Sequence, residues 1–172
     1  MIIALTGFMG VGKTTISEKL AKLILCKHLD LDKYIEESEN MSVSDIFAKR
    51  GEVYFRRMET FALREIVLRN ENDIIVLSLG GGALLSHENQ EIIKKYTYCI
   101  YLKASLSTII TRLRRAKKNR PIVNEISENE EEARFKELFE AREEGYNNSA
   151  SFILDVDNKS IRQIVDEIIA VI

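Results

Sequence analysis

Gly7-Phe8-Met9-Gly10-Val11-Gly12-Lys13-Thr14-Thr15 decides how this chain is read. With Gly7, Gly12, Lys13 and Thr14 in the fixed places, it fits the phosphate-loop pattern G-x-x-x-x-G-K-[ST]. The flanks agree with that reading. Ile2-Ile3-Ala4-Leu5 before it is an apolar run suited to a buried strand, and Ile16, Leu20, Leu23 and Ile24 after it recur at helical spacing. The chemistry needs this order of parts. Glycines let the backbone wrap a phosphate with its N–H groups pointing inward, and the helix start adds partial positive charge. Gly10, Val11, Gly12, Lys13, Thr14 and Thr15 are the expected nucleotide contacts. Lys13 reaches the outer phosphates, and the Thr14 hydroxyl is placed for magnesium. The competing reading is a glycine-rich turn. A chance match from residue frequencies is on the order of one per cent in a chain this long.

Working outward, apolar runs and helical periodicities alternate. Strands are predicted at Ile2–Thr6, His28–Asp30, Asp73–Ser78, Tyr98–Leu102 and Phe152–Val156. Helices are predicted from Lys13 to about Leu25, at Asp32–Glu37 as a single turn, and from Val43 to near Gly51. Further helices are predicted at Glu52–Leu68, Glu88–Lys95, Ser105–Arg115, Glu130–Tyr146 and Ser160–Val171. Strands separated by helices imply right-handed βαβ units. The expected fold is α/β: three layers, with a five-stranded parallel sheet and helices on both faces around a phosphate loop. Ligands in such sheets bind beyond the carboxyl ends of the strands, so strand-end residues are the candidates for chemistry.

Asp30 and Asp32 close the second strand. Residues two apart in an extended chain point the same way, so both carboxylates are expected to face the phosphate site. One suits magnesium and the other a substrate hydroxyl. The same residue types also serve as a helix N-cap and a first-turn acid. Arg56 and Glu59, in Phe55-Arg56-Arg57-Met58-Glu59, are three apart and share a helix face; an ordinary solvated ion pair is the plain alternative. Gly80-Gly81-Gly82 follows the third strand and allows backbone to approach a ligand closely, where a simple turn needs one glycine. Arg112, Arg114, Arg115, Lys117, Lys118 and Arg120 crowd a polar segment around Pro121, the only proline. An exposed loop explains that composition; so does a lid, expected at 116–129, that carries positive charge to a phosphoryl group. Arg142 and Tyr146, four apart on one helix, have surface placement as their default.

Bulk properties bound the answer. The length of 172 residues favours one domain over 1–172, and 45% apolar residues allow a sizeable core. Basic and acidic residues number 25 and 27, which supports neither a nucleic-acid partner nor a membrane surface. No apolar run is long enough to span a bilayer, and the N-terminus lacks the basic and apolar regions of a signal peptide. Cys26 and Cys99 both lie in apolar surroundings, so the cytoplasm is the expected compartment.

Taken together, these residues give a resemblance to the shikimate kinases along essentially the whole chain. It rests on Gly7-Phe8-Met9-Gly10-Val11-Gly12-Lys13-Thr14, Asp30-x-Asp32, Phe55-Arg56-Arg57-x-Glu59, Gly80-Gly81-Gly82, Arg120-Pro121 and Leu138-x-x-x-Arg142-x-x-x-Tyr146, in that order. The resemblance implies ATP-dependent phosphorylation of the 3-hydroxyl of shikimate, in the route to chorismate and the aromatic amino acids. It implies that Asp32, Arg56, Gly80, Gly81, Gly82 and Arg142 hold shikimate. It also implies that Lys13, Thr14 and Asp30 serve the phosphates and one magnesium ion, and that Lys13, Asp32 and Arg120 act in catalysis, with Arg120 carried by a closing lid. A monomer is expected. Two departures stand out. The family often has proline between the last arginine and tyrosine, where this chain has Glu143-Glu144-Gly145, so Gly145 is expected to loosen the helix end around Arg142. In the lid, Arg120-Pro121-Ile122-Val123 replaces the more usual Arg-Pro-Leu-Leu. The second lid arginine stays open among Arg112, Arg114 and Arg115, and the adenine segment falls near Asp157–Lys159. On the residues alone, a small kinase for gluconate or a nucleoside monophosphate, or a non-catalytic nucleotide switch, remains an alternative.

Overall fold

A computed structural model describes the backbone of residues 1–118 and 128–172 and the side chains of 1–115 and 129–172. Its five strands are β1 (Ile2–Thr6), β2 (Lys27–Asp30), β3 (Ile75–Ser78), β4 (Thr97–Lys103) and β5 (Phe152–Asp155). They form one sheet in the order β2-β3-β1-β4-β5, with every pairing parallel. Parallel neighbours need crossovers, and the helices supply them: α1 (Lys13–Leu23), α2 (Leu31–Glu39), α3 (Val43–Arg50), α4 (Glu52–Arg69), α5 (His87–Tyr96), α6 (Leu106–Lys118), α7 (Glu128–Ser149) and α8 (Ile161–Ile169). The α/β architecture with helices on both faces is the expected one. Helix α1 packs on β1, β2 and β3 with α8 beside it, while α5 and α7 pack on β4.

The sheet order matters for the site. β1 is the middle strand, between β3 and β4. The chain leaves β1 for β2 on one side and later reaches β4 on the other, so the strand order reverses at β1. The segments that follow β1 and β3 therefore emerge side by side at the carboxyl edge. At the first of these exits Gly7 has φ 146°, and a Cβ there would stand 2.6 Å from the Leu102 carbonyl oxygen. Only glycine lets the loop leave β1 so close to β4.

Several boundaries differ from the sequence reading, each for a local reason. The expected turn at Asp32–Glu37 is a full helix, α2, because Asp30 caps its start and Asn40, at φ 50°, closes its end. Ile74 lies outside β3 and is exposed, although it continues the apolar run. A one-turn 3₁₀ helix at Ala83–Leu85 was not legible; it is held by Ala83 N–H to Gly80 O and Leu85 N–H to Gly82 O. Helix α7 does not end at Tyr146 but runs through Gly145 to Ser149.

Burial separates two isoleucines that composition treats alike. Ile3 in β1 is wholly buried, while Ile74 is 55% exposed. Ile3→Ala is expected to cost about 2–5 kcal/mol and Ile74→Ala no more than about 0.5 kcal/mol, read from urea unfolding midpoints. Equal costs would contradict the strand boundary.

Candidate active site

The segment after β1 runs directly into α1, whose first residue is Lys13. Gly12 precedes the helix at φ 100°, and no side chain caps the first turn, so the helix start is left to its backbone N–H groups. Lys13 Nζ donates to the carbonyl oxygens of Gly7 and Phe8 at 2.8 and 3.1 Å. Burial pulls the Lys13 pKa down from the usual lysine range to about 8; the charges of Asp32 and Asp30 oppose the fall and that of Arg142 adds to it.

Asp30 is the helix cap read from its position, and it also meets Thr14. Its Oδ1 accepts Lys33 N–H at 3.2 Å and caps α2, while its Oδ2 accepts from Thr14 Oγ1 at 3.4 Å. A hydroxyl and a carboxylate beside a phosphate loop are hard oxygen donors, the set that suits magnesium. Among the described residues no three or more of His, Cys, Asp and Glu gather into a metal site. Thr14 and Asp30 are the pair here with the chemistry to hold such an ion.

The second half of the site forms on Gly80-Gly81-Gly82, at the exit of β3. A Cβ on Gly80 would stand 2.7 Å from Asp32 Oδ1, and one on Gly82 would stand 2.5 Å from Arg56 Nη2. A Cβ on Gly81 would lie 3.4 Å from Arg142 Nη1. Three charged side chains from α2, α4 and α7 thus rest on three successive residues without side chains. The alternation argument for Asp32 does not hold, because Asp32 lies in the first turn of α2 and not in a strand. The helix delivers it to Gly80 all the same. Burial raises the Asp32 pKa above the ordinary carboxylate range, and Asp30 adds to the rise; Lys13 and Arg56 pull against it.

Arg56 is indeed paired with Glu59, but not as a solvated surface pair. Its Nη1 donates to Glu59 Oε1 and Oε2 at 3.1 and 2.9 Å, and Glu59 is 1% exposed. The Arg56 Nε lies 3.5 Å from Glu52 Oε1, and its Cζ sits 5.3 Å from the Phe55 ring centre. Glu59 takes one edge of the guanidinium and leaves Nη2 over Gly82. Sequence spacing shows that Glu59 can reach Arg56; only burial shows that it holds Arg56. Arg142 is half-buried, not on the surface. Its Cζ lies 5.6 Å from the Phe8 ring centre, and its buried Nε has no hydrogen-bond partner among the described residues.

Other expected residues sort differently. Among the three competing arginines, Arg112 donates from Nη1 to Val11 O at 2.9 Å and so touches the phosphate loop, while Arg114 pairs with Glu132 at 3.2 Å. Near the expected adenine segment, Asp157 accepts the Ser105 N–H and Lys159 pairs with Glu167 at 2.7 Å. Arg120 and most of the expected lid lie outside the described residues.

The sequence profile described as shikimate kinase matches residues 9–172. The chain belongs to the shikimate kinase family. A shikimate kinase of Thermus thermophilus is 40% identical over 167 residues, covering 97% of this chain and 87% of that one. A shikimate kinase of Enterococcus faecalis is 38% identical over 168 residues, covering 97% and 95%. Among solved structures, shikimate kinase from Bacteroides thetaiotaomicron superposes with a TM-score of 0.86 at 32% identity, over 98% of this chain and 96% of that one. The Acinetobacter baumannii shikimate kinase in complex with shikimate gives 0.83 at 32% identity, over 98% and 90%. Among the described residues no helix is long and apolar enough to cross a membrane.

The depressed Lys13 pKa has a measurable consequence. A polyphosphate on the loop would restore the charged form and raise the pKa above about 8. Between those two values the free protein binds fewer protons than the complex, so nucleotide binding takes up a proton and weakens as pH rises. Calorimetry near pH 9, in buffers of different ionisation heat, is expected to show uptake approaching one proton per nucleotide. The Lys13→Ala variant should show none.

Proposed function

We propose that this chain transfers the γ-phosphate of ATP to the 3-hydroxyl of shikimate, giving shikimate 3-phosphate and ADP, with the residues of the two halves in the roles that follow. The observation that carries the assignment of roles is the convergence of Asp32, Arg56 and Arg142 on Gly80-Gly81-Gly82, with Asp32 and Arg142 within electrostatic reach of Lys13. Shikimate presents one carboxylate and three hydroxyls. A carboxylate calls for guanidinium groups, and Arg56 Nη2 and Arg142 Nη1 are donors at the glycine face. A hydroxyl calls for an acceptor, and Asp32 supplies it.

In the reaction the 3-hydroxyl oxygen forms a bond to the γ-phosphorus while the bond to the β–γ bridging oxygen breaks and ADP leaves. The hydroxyl proton passes to Asp32, whose raised pKa suits a base better than an ordinary carboxylate does. Lys13 and the backbone N–H groups of Gly10, Val11, Gly12, Thr14 and Thr15 hold the phosphates, and positioning with charge neutralisation supplies most of the catalysis. Magnesium, held by Thr14 and Asp30, would neutralise phosphate charge. The two cysteines are free thiols, which supports a cytoplasmic protein. We further assign it as a monomer, to be checked by light scattering.

Shikimate is expected to stimulate ADP formation strongly, and gluconate and nucleoside monophosphates are not. ADP formation with one of those acceptors and not with shikimate would overturn the assignment. Arg56→Ala and Arg142→Ala should each raise the KM for shikimate. A charge-assisted bond contributes roughly 1.5–3 kcal/mol, or about one to two orders of magnitude. An analogue lacking the carboxylate should be a poor substrate for the parent and indifferent to both changes.

Asp32→Asn keeps the shape but not the basicity. It is expected to lower shikimate turnover far more than ATP affinity, and to remove the acid limb of the pH profile, which in the parent should lie above the ordinary carboxylate range. Equal loss of turnover and ATP affinity would place Asp32 on the nucleotide instead.

A further inference from the structure

Helix α7 meets the glycine segment at a second point, one turn beyond Arg142. The Tyr146 hydroxyl donates to the Gly81 carbonyl oxygen. The residue is 1% exposed, and its ring lies against Tyr101 of β4 with centres 5.1 Å apart. The phenol is therefore not a surface group that happens to reach a loop. It is fixed by the sheet on one side and bonded to the glycine run on the other.

Gly145 makes that approach feasible. A Cβ at 145 would overlap the carbonyl oxygen of Leu84, and it would stand 3.4 Å from Gln90 Nε2, which itself donates to Leu84 O at 2.9 Å. The helix backbone thus lies directly on the 3₁₀ turn that follows the glycines. A glycine inside a helix is less favourable than an alanine there. Here it lets α7 sit close enough for Arg142 and Tyr146 to reach Gly81 together. The expectation that Gly145 loosens the helix end is reversed: the helix continues to Ser149, and Gly145 is where it docks.

We propose that Tyr146 is a positioning residue for the acceptor site: its hydroxyl bond to Gly81, with Gly145 setting the distance, locks the glycine run to the helix that carries Arg142. A trans peptide is planar, so a carbonyl and the following N–H point in opposite directions. Holding the Gly81 carbonyl on Tyr146 therefore aims the Gly82 N–H away from α7. Residues 80–82 carry no side chains to hold themselves in place, and the Tyr146 bond supplies an anchor. The inference rests on the reading of Asp32, Arg56 and Arg142 as the acceptor site.

Tyr146→Phe keeps the ring and its contact with Tyr101 while removing the donor. The expected result is a rise of about five- to tenfold in the KM for shikimate, the loss expected for one hydrogen bond, with the KM for ATP unchanged. Combined with Arg142→Lys, the loss should be less than the product of the two single losses, because both act on one contact. Gly145→Ala keeps the phenol but pushes α7 off Leu84, and should raise the same KM. Hydrogen exchange supplies a readout independent of turnover: the amides of residues 81 and 82 should exchange faster in Tyr146→Phe than in the parent. Parental exchange together with a parental KM for shikimate would overturn the proposal, as would a lowered melting temperature with the KM unmoved. If the parent shows no shikimate-dependent ADP formation, the acceptor reading fails; faster exchange at 81 and 82 would then still show the anchor.

Discussion

Three charged groups stand against residues 80–82, the carboxylate of Asp32 and the guanidiniums of Arg56 and Arg142, and at Gly80 and Gly82 they come closer than a Cβ would allow. Everything else at the acceptor face follows from that lack of side chains. Any residue but glycine at 80 or 82 would push on a half-buried charge standing 2.7 or 2.5 Å from its Cβ. Burial also has to be compensated. Arg56 is held by both oxygens of Glu59, and Asp32 lies within the field of Lys13 and Arg56. The buried Arg142 Nε has no hydrogen-bond partner among the described residues.

The sheet makes this arrangement possible by putting two exits next to each other. β1 and β3 are parallel neighbours in register from Ile2 with Ile75 to Leu5 with Ser78, so both end at the same edge. One exit wraps the helix start at Lys13 and the other opens the glycine run. The start of α1 and the glycine run thus lie side by side without either depending on a long flexible connection. The cost is seen at Lys13, whose charged form burial disfavours despite two nearby carboxylates. That cost is of the kind a polyphosphate removes, so the site favours its anionic partner over its own free state.

The remaining walls come from helices whose placement the motifs do not show. Helix α4 supplies both Arg56 and the buried carboxylate that orients it. Helix α7 supplies Arg142 and seats on the turn after the glycines through Gly145. Phe8, inside the phosphate loop, packs edge-on against Phe139 at 5.5 Å and also lies under Arg142, so the loop and α7 share one apolar contact. The two halves of the site are thereby parts of a single packed unit.

The alternating pattern determined the fold class, because a continuous apolar run followed by helical periodicity has few solutions other than a parallel sheet covered on both faces. The phosphate loop was legible because its function demands glycines, lysine and threonine at fixed spacing in one contiguous stretch. Asp30, Asp32, Arg56 and Arg142 could be named as candidates, and the family resemblance gave them roles, but their spacing could not tell a site residue from a cap, a surface ion pair or an exposed helix face. Tertiary structure showed what each of them touches. It showed Asp30 acting as cap and as Thr14's partner, Glu59 buried under Arg56, and Gly145 docking α7 where the sequence suggested a loosened helix end. The reason is physical: local sequence fixes what a segment does with its own backbone, whereas burial and close approach depend on which distant segment packs against it, and every acceptor-site assignment here depends on such an approach.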